Sequence, residues 1–263
     1  MSKQKASKGS QSTLAACAGA QSAKGLDGAK VTGLSAREFK AIFFDLDGTL
    51  VDIHGPLYIA ARNTLRDFGH QPELTRERYH HALRTDELWL GVPEHKRPEY
   101  IKLAFAYFMT EIDRTERLEL LPHVPETLAE LKRRGYATAV ITSRPGDPKQ
   151  LVHKLAMVGI ASHLDQVVTQ PVSSMKELLD KTGLLRQTAA RAAIPVRACM
   201  YVGDEPRDIM ASAQAGFGAS VAVATGTASA DYLRTHPSFR PDHVIDSMGE
   251  LIGLIDRIGQ ERI

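Results

Sequence analysis

The sequence predicts an α/β protein, a Rossmann-like, doubly wound parallel sheet with a small α-helical domain inserted after the first strand. Three observations carry this. Short, nearly continuous apolar runs recur at residues 40–44, 136–141, 199–202, 220–224 and 244–245, the pattern of strands covered on both faces of a parallel sheet. Amphipathic stretches with clear start and stop residues lie between most of these runs, which suits alternating strands and helices. From about residue 55 to 120 the alternation stops, and three helical patterns follow one another without a strand between.

The elements follow in chain order. Residues 1–37 are rich in Ala, Ser, Gly, Lys and Gln and almost free of large apolar side chains. Such a segment cannot bury enough surface to offset its ordering entropy, so a disordered tail is expected. The core domain is then expected over 38–54 and 121–263, with a helical cap over 55–120. In the cap, Leu57, Ala60, Ala61, Leu65 and Phe68 recur at helical spacing before Gly69. A second helix is expected around 75–88. A third carries Tyr100, Leu103, Ala104, Tyr107, Phe108 and Ile112, and its aromatic stripe reads as the core of a small bundle. In the core, Pro125 opens a helix that sets Leu128 and Leu131 on one face and stops at Gly135. Pro148 opens another, with Leu151, Leu155 and Val158 before Gly159. Further helices are expected over 183–193 and 206–215, the latter closed by Gly216.

Bulk properties narrow the function. The chain has 263 residues, a formal net charge of +2, and 43% apolar against 24% charged residues. Nothing in that balance asks for a nucleic-acid or membrane partner, and no run of about 18 apolar residues is present. The two cysteines, Cys17 and Cys199, lie in the tail and in an apolar run. They suit a reducing compartment, with Cys199 a buried core residue, so a cytoplasmic protein is expected. The tail lacks the apolar segment of a secretory signal. An organelle transit peptide is the alternative for it, disfavoured because its cations are mostly lysine.

The chemistry gathers where strands end. The first apolar run leads into Asp45-Leu46-Asp47-Gly48-Thr49-Leu50. If strand geometry persists, Asp45 and Asp47 project together from the carboxyl edge of the sheet, where ligands of open α/β sheets bind. Two close carboxylates are costly unless a cation lies between them or one takes a proton, and Mg²⁺ suits such a site. Alone, the stretch reads equally well as a strand ending in an Asp-Gly turn. The second strand ends in Ile141-Thr142-Ser143-Arg144, whose hydroxyl could hold a phosphate oxygen or simply cap a turn. A later strand ends in Gly203-Asp204-Glu205-Pro206-Arg207-Asp208. Its acids at i and i+4 share a helix face, and helix capping by Asp204 is the plainer alternative. All three endings, in order within one α/β domain, favour an active site.

These residues carry a family resemblance. From about Ala41 onward the chain resembles the haloacid dehalogenase-like hydrolase superfamily, in particular its phosphoglycolate-phosphatase-like branch. The match rests on Asp45-Leu46-Asp47-Gly48-Thr49-Leu50-Val51-Asp52, on Gly203-Asp204 with Asp208 and the following Ile209 to Gly216, and on Leu121 to Leu128. The family usually has Gly where His123 stands. The resemblance implies that Asp45 attacks phosphorus to form an aspartyl-phosphate and that Asp47 serves as general acid and base. It implies Mg²⁺ held by the Asp45 side chain, the Asp47 backbone carbonyl and Asp204, with Asp208 supporting the metal shell. Thr142, with backbone N–H groups near Leu46 and Ser143, would cradle the phosphoryl oxygens. A lysine is also implied; Lys181 has nearly the right separation from Asp204, and Lys176 is the rival. An aspartate at 47 argues against dehalogenase chemistry.

The insert resembles the family's helical cap, whose Arg84, His80, His81, His95, Lys96 and Arg97 could meet a substrate's polar tail. The expected activity is a Mg²⁺-dependent phosphatase acting on a small phosphorylated metabolite, with oligomeric state open. The alternatives are a phosphomutase resembling β-phosphoglucomutase, which would isomerise a sugar phosphate instead of releasing phosphate, and a catalytically silent binding protein, which would be expected to lack one of the acids.

Overall fold

The computed structural model describes residues 39–70, 73–85, 90–170, 180–236 and 239–260. The expected disordered tail, with Cys17, lies outside them, as does Lys176. The chain divides into two compact units. One is the insert, Gly55–Arg114; the described part of the other is 39–54 together with 115–260.

The larger unit is built on one parallel sheet. Among the described residues its strands are β1 (Ala41–Phe44), β2 (Ala137–Pro145), β3 (Gln166–Gln170), β4 (Cys199–Gly203), β5 (Ala219–Val223) and β6 (His243–Ile245). The spatial order is β3-β2-β1-β4-β5-β6. Phe44 lies opposite Val140 on one side and Val202 on the other. The order reverses between β1 and β4, which makes the carboxyl end of β1 a topological switch point.

Alternation along the strands loads both faces. Ile42, Phe44, Val140, Met200, Val202 and Val221 point to one side. There they pack on α4 (Val124–Arg133) through Leu128 and Leu131, on α5 (Pro148–Met157) through Leu151 and Leu155, and on α9 (Leu251–Gln260). Ala41, Phe43, Ala139, Ile141, Cys199 and Tyr201 point to the other. There they meet α6 (Thr182–Arg191) through Leu185 and Ala189, and α7 (Pro206–Ala215) through Ala211 and Ala215. A short α8 (Ala230–Thr235) sits beside β6. Each large side chain buried this way contributes about 1.5–3 kcal/mol, which makes the sheet a rigid platform for its carboxyl edge.

Three expectations need correction. β3 was not among the expected strands: glutamines at both ends mask a strand whose Val168 is buried and which, among the described residues, pairs on one side only. β2 runs on past Thr142 to Pro145, with a shift of register against β3 between those residues. The insert ends at 114, not 120. Residues 115–120 belong to the larger unit because Leu120 bridges Val51 and the Asp52 N–H donates to Glu119 O at 2.8 Å.

The insert has its own core. α1 (His54–Asp67), α2 (Arg76–Thr85) and α3 (Arg97–Arg114) supply Tyr58, Ala61, Leu65, Tyr79 and Tyr100 to one apolar cluster, joined by Leu74 and Val92. Phe68 and Tyr100 meet edge to face at 5.9 Å. From the stripe of α3, Tyr100 enters this cluster with Ala104 packed against it, and Phe108 is buried. No helix among the described residues is long and apolar enough to cross a membrane.

Candidate active site

Regular pairing extends just far enough to place Asp45. Its N–H donates to Val202 O at 2.9 Å, continuing the ladder between β1 and β4 by one residue. The chain then turns: the N–H groups of Leu50 and Val51 both donate to Leu46 O at 2.9 Å, and Gly48 takes a φ of +79°. Only a residue without Cβ is at ease there. Strand geometry thus stops before Asp47, and the two carboxylates take different partners. Asp45 is buried and ion-paired with Lys181 at 2.7 Å. Asp47 receives the Arg144 guanidinium on both oxygens, Nε to Oδ2 at 2.7 Å and Nη2 to Oδ1 at 2.5 Å. Each carboxylate thus has a protein cation beside it, Lys181 at Asp45 and Arg144 at Asp47.

At the end of β2, Thr142 is buried and its Oγ1 accepts from the Arg144 N–H at 3.1 Å. Ser143 beside it is half-buried.

At the end of β4, Asp204 is not the helix cap. Glu205 occupies the N-cap of α7, and its N–H donates to Asp208 Oδ2 at 3.1 Å. Asp208 therefore does cap its helix, and its other oxygen holds Lys181 Nζ at 2.8 Å. Lys181 Nζ thereby joins two acids that lie 163 positions apart in sequence (208 − 45). The Tyr201 hydroxyl, also fully buried, donates to Ile141 O at 3.3 Å and neighbours the same ammonium. Burial works against the charge of Lys181, but Asp208 and Asp45 outweigh it and hold its pKa well above the ordinary value.

Asp45, Asp204 and Asp208 bring carboxylate oxygens within 4.8 Å of one another, all buried. Burial, partly offset by Lys181, pushes the Asp45 carboxyl up to about 7. Asp204 is raised well above the carboxylate range, by burial first and then by the charges of Glu205, Asp208 and Asp45. Its Oδ1 accepts from Thr49 Oγ1 at 3.0 Å, whereas its buried Oδ2 has no hydrogen-bond partner among the described residues. Glycines crowd that oxygen: a Cβ on Gly226 would come within 1.8 Å of it and one on Gly48 within 2.4 Å. Thr225 Oγ1 donates to Gly48 O at 2.6 Å and ties the two glycine turns together. Buried, repelling oxygens with one lone pair left open fit a hard divalent cation. Asp47 contributes no side-chain oxygen to this cluster.

Sequence reasoning assigned no role to Arg144, Thr49 or Tyr201. A cation two places beyond Thr142 was a usable signal, since it stands close in sequence to a strand-end hydroxyl offered to an anion. His123 takes a left-handed φ of 66° at the N-cap of α4, which accounts for glycine being usual there in the family. Of the cap cations, His81, His95 and Lys96 are exposed and His80 and Arg97 half-buried, while the side chain of Arg84 lies outside the described residues.

A doubly wound sheet whose switch point holds a buried aspartate, a buried lysine and a cluster of acids marks a Rossmann-like enzyme. Comparison makes the class definite: residues 42–223 match the profile described as haloacid dehalogenase-like hydrolase, and the chain belongs to that family. Among its relatives is a protein of Bacillus velezensis named pyrophosphatase PpaX, 28% identical over 83% of this chain and 97% of the relative. Another is the phosphoglycolate phosphatase of Synechococcus elongatus, 28% identical over 83% of this chain and 98% of the relative. A crystal structure described as a predicted phosphoglycolate phosphatase from Haemophilus somnus shares the fold. Its TM-score is 0.56 at 24% identity, over 82% of this chain and 98% of that one.

Proposed function

We propose that this protein is a Mg²⁺-dependent phosphoric monoester hydrolase acting on a small phosphorylated metabolite through an aspartyl-phosphate. The observation that carries this reading is the buried Asp45, paired with Lys181 and set beside Asp204 and Asp208 at the switch point. An Asp45 oxygen attacks phosphorus as the bond to the leaving oxygen breaks, and Asp47 gives that oxygen its proton. Asp47 then takes a proton from water, whose oxygen bonds to phosphorus as the bond to Asp45 breaks and phosphate departs. Lys181 opposes the effect of burial on the Asp45 carboxyl and holds it in place. Thr142 and the N–H groups of Leu46 and Ser143 receive phosphoryl oxygens. The side chains of Asp45 and Asp204 and the backbone carbonyl of Asp47 would hold Mg²⁺, supported by Asp208. When bound it offsets the repulsion between an anionic nucleophile and an anionic ester. The names of the relatives suggest phosphoglycolate and pyrophosphate as first substrates. A soluble metabolite of the cytoplasm suits a chain whose described thiol, Cys199, is free and buried.

Phosphate release should be measured over a panel of phosphoglycolate, pyrophosphate, sugar phosphates and nucleoside monophosphates, with Mg²⁺ and with chelator. Release that needs Mg²⁺ is expected from at least one compound. An isomerised sugar phosphate in place of free phosphate would mark a mutase, and silence across the panel would end the proposal.

A further inference from the structure

We infer that Arg144 selects substrates bearing a second anionic group, a carboxylate or phosphate, on the leaving-group side of the bond that breaks. This rests on the proposed assignment of Asp47 to the leaving oxygen. The Arg144 guanidinium grips Asp47 through two parallel contacts of 2.7 and 2.5 Å, and the two side chains are only 12% and 19% exposed. This is a seated fork, not a mobile surface pair, and its planar donors match carboxylate and phosphate alike. β2 places it there: the strand continues past Thr142 with a shift of register, the Arg144 N–H donates to Thr142 Oγ1 at 3.1 Å, and its guanidinium is brought onto Asp47.

The geometry fixes which part of a substrate the fork can reach. The guanidinium is one hydrogen bond from Asp47, and Asp47 must come within one hydrogen bond, about 3 Å, of the leaving oxygen. An anion one or two bonds beyond that oxygen therefore falls within reach of the same guanidinium. A substrate anion at that place offers the guanidinium a further acceptor beside Asp47. The neighbouring cations are committed to other acids, Lys181 to Asp45 and Asp208 and Arg207 to Glu205. Arg144 is the cation seated on the Asp47 side.

The test compares kcat/KM for phosphoglycolate and for 2-hydroxyethyl phosphate, which replaces the carboxylate by an uncharged alcohol. Full-length wild type, Arg144→Gln and Arg144→Lys are assayed with Mg²⁺, and thermal unfolding shows whether each variant folds. Wild type should favour phosphoglycolate by about 30-fold, the worth of one hydrogen-bonded charge. Arg144→Gln should bring the two substrates to within about 3-fold by losing activity on phosphoglycolate, and Arg144→Lys should restore part of the preference as a point charge. Equal losses on both substrates would overturn the inference, because Arg144 would then only seat Asp47 or the transferred phosphoryl group. Wild-type activity without preference, or confined to uncharged leaving groups, would also overturn it while leaving the phosphatase proposal standing. Absence of phosphate release from every compound in the panel would remove both.

Discussion

Asp45→Asn is expected to abolish phosphate release, by on the order of 10⁴-fold or more, as for other lost nucleophiles, while leaving the protein folded. The amide fills the same volume but cannot attack phosphorus. The fold should tolerate it because the wild-type carboxylate is itself costly: burial raises its pKa to about 7. In metal-free protein the folded state therefore holds a proton on Asp45 that the unfolded chain has already lost above the ordinary carboxylate range. Stability from this group falls as pH rises through that range toward about 7. The Asn variant lacks this loss, so its melting temperature without metal should match or exceed that of wild type near pH 8. Lys181 keeps Asp208 as a partner at 2.8 Å in the variant. Steady-state phosphate release and thermal melts with and without Mg²⁺ measure both effects. An Asn variant with more than a few per cent of wild-type activity would contradict the role given to Asp45.

Lys181→Ala should be the most damaging loss of a cation. It removes the ammonium that joins Asp45 and Asp208, and it leaves Asp204 with less opposing charge. Breaking a buried pair costs about 3–5 kcal/mol. Protonation of one of the acids will relieve part of that, and Mg²⁺ should restore part of the melting temperature by replacing the missing positive charge. Activity should fall by about 10²–10³-fold, the usual cost of one group that stabilises developing charge. Lys176→Ala, run beside it, should stay within a few-fold of wild type. A larger activity loss at Lys176 would reverse the assignment.

Much of this was legible in the sequence where local pattern decides the outcome. The apolar runs of β1, β4 and β5 and the stop at Gly216 are local properties, and Asp45, Asp204 and Asp208 stand out by their place at strand ends. What escaped depends on contacts distant in sequence. Asp47 and Arg144 are 97 positions apart, and their pairing follows from the turn at Gly48 and the extension of β2 beyond Thr142. The spacing of Asp45 and Asp47 suggested that they project together, but regular pairing ends at Asp45 and the two side chains take different partners. β3 escaped because an edge strand can carry glutamines where a central strand cannot. Helix capping, the plainer alternative for Asp204, falls to Asp208 instead, one of whose oxygens caps α7 while the other anchors Lys181.

The most direct test of the central claim is to mix the protein with a radiolabelled phosphate ester that it hydrolyses, quench with acid within one turnover, and map the label. The account predicts an acid-stable, hydroxylamine-labile phosphoryl group on the peptide containing Asp45, absent from Asp45→Asn. Phosphate released without any labelled protein, or label carried by another residue, would contradict it.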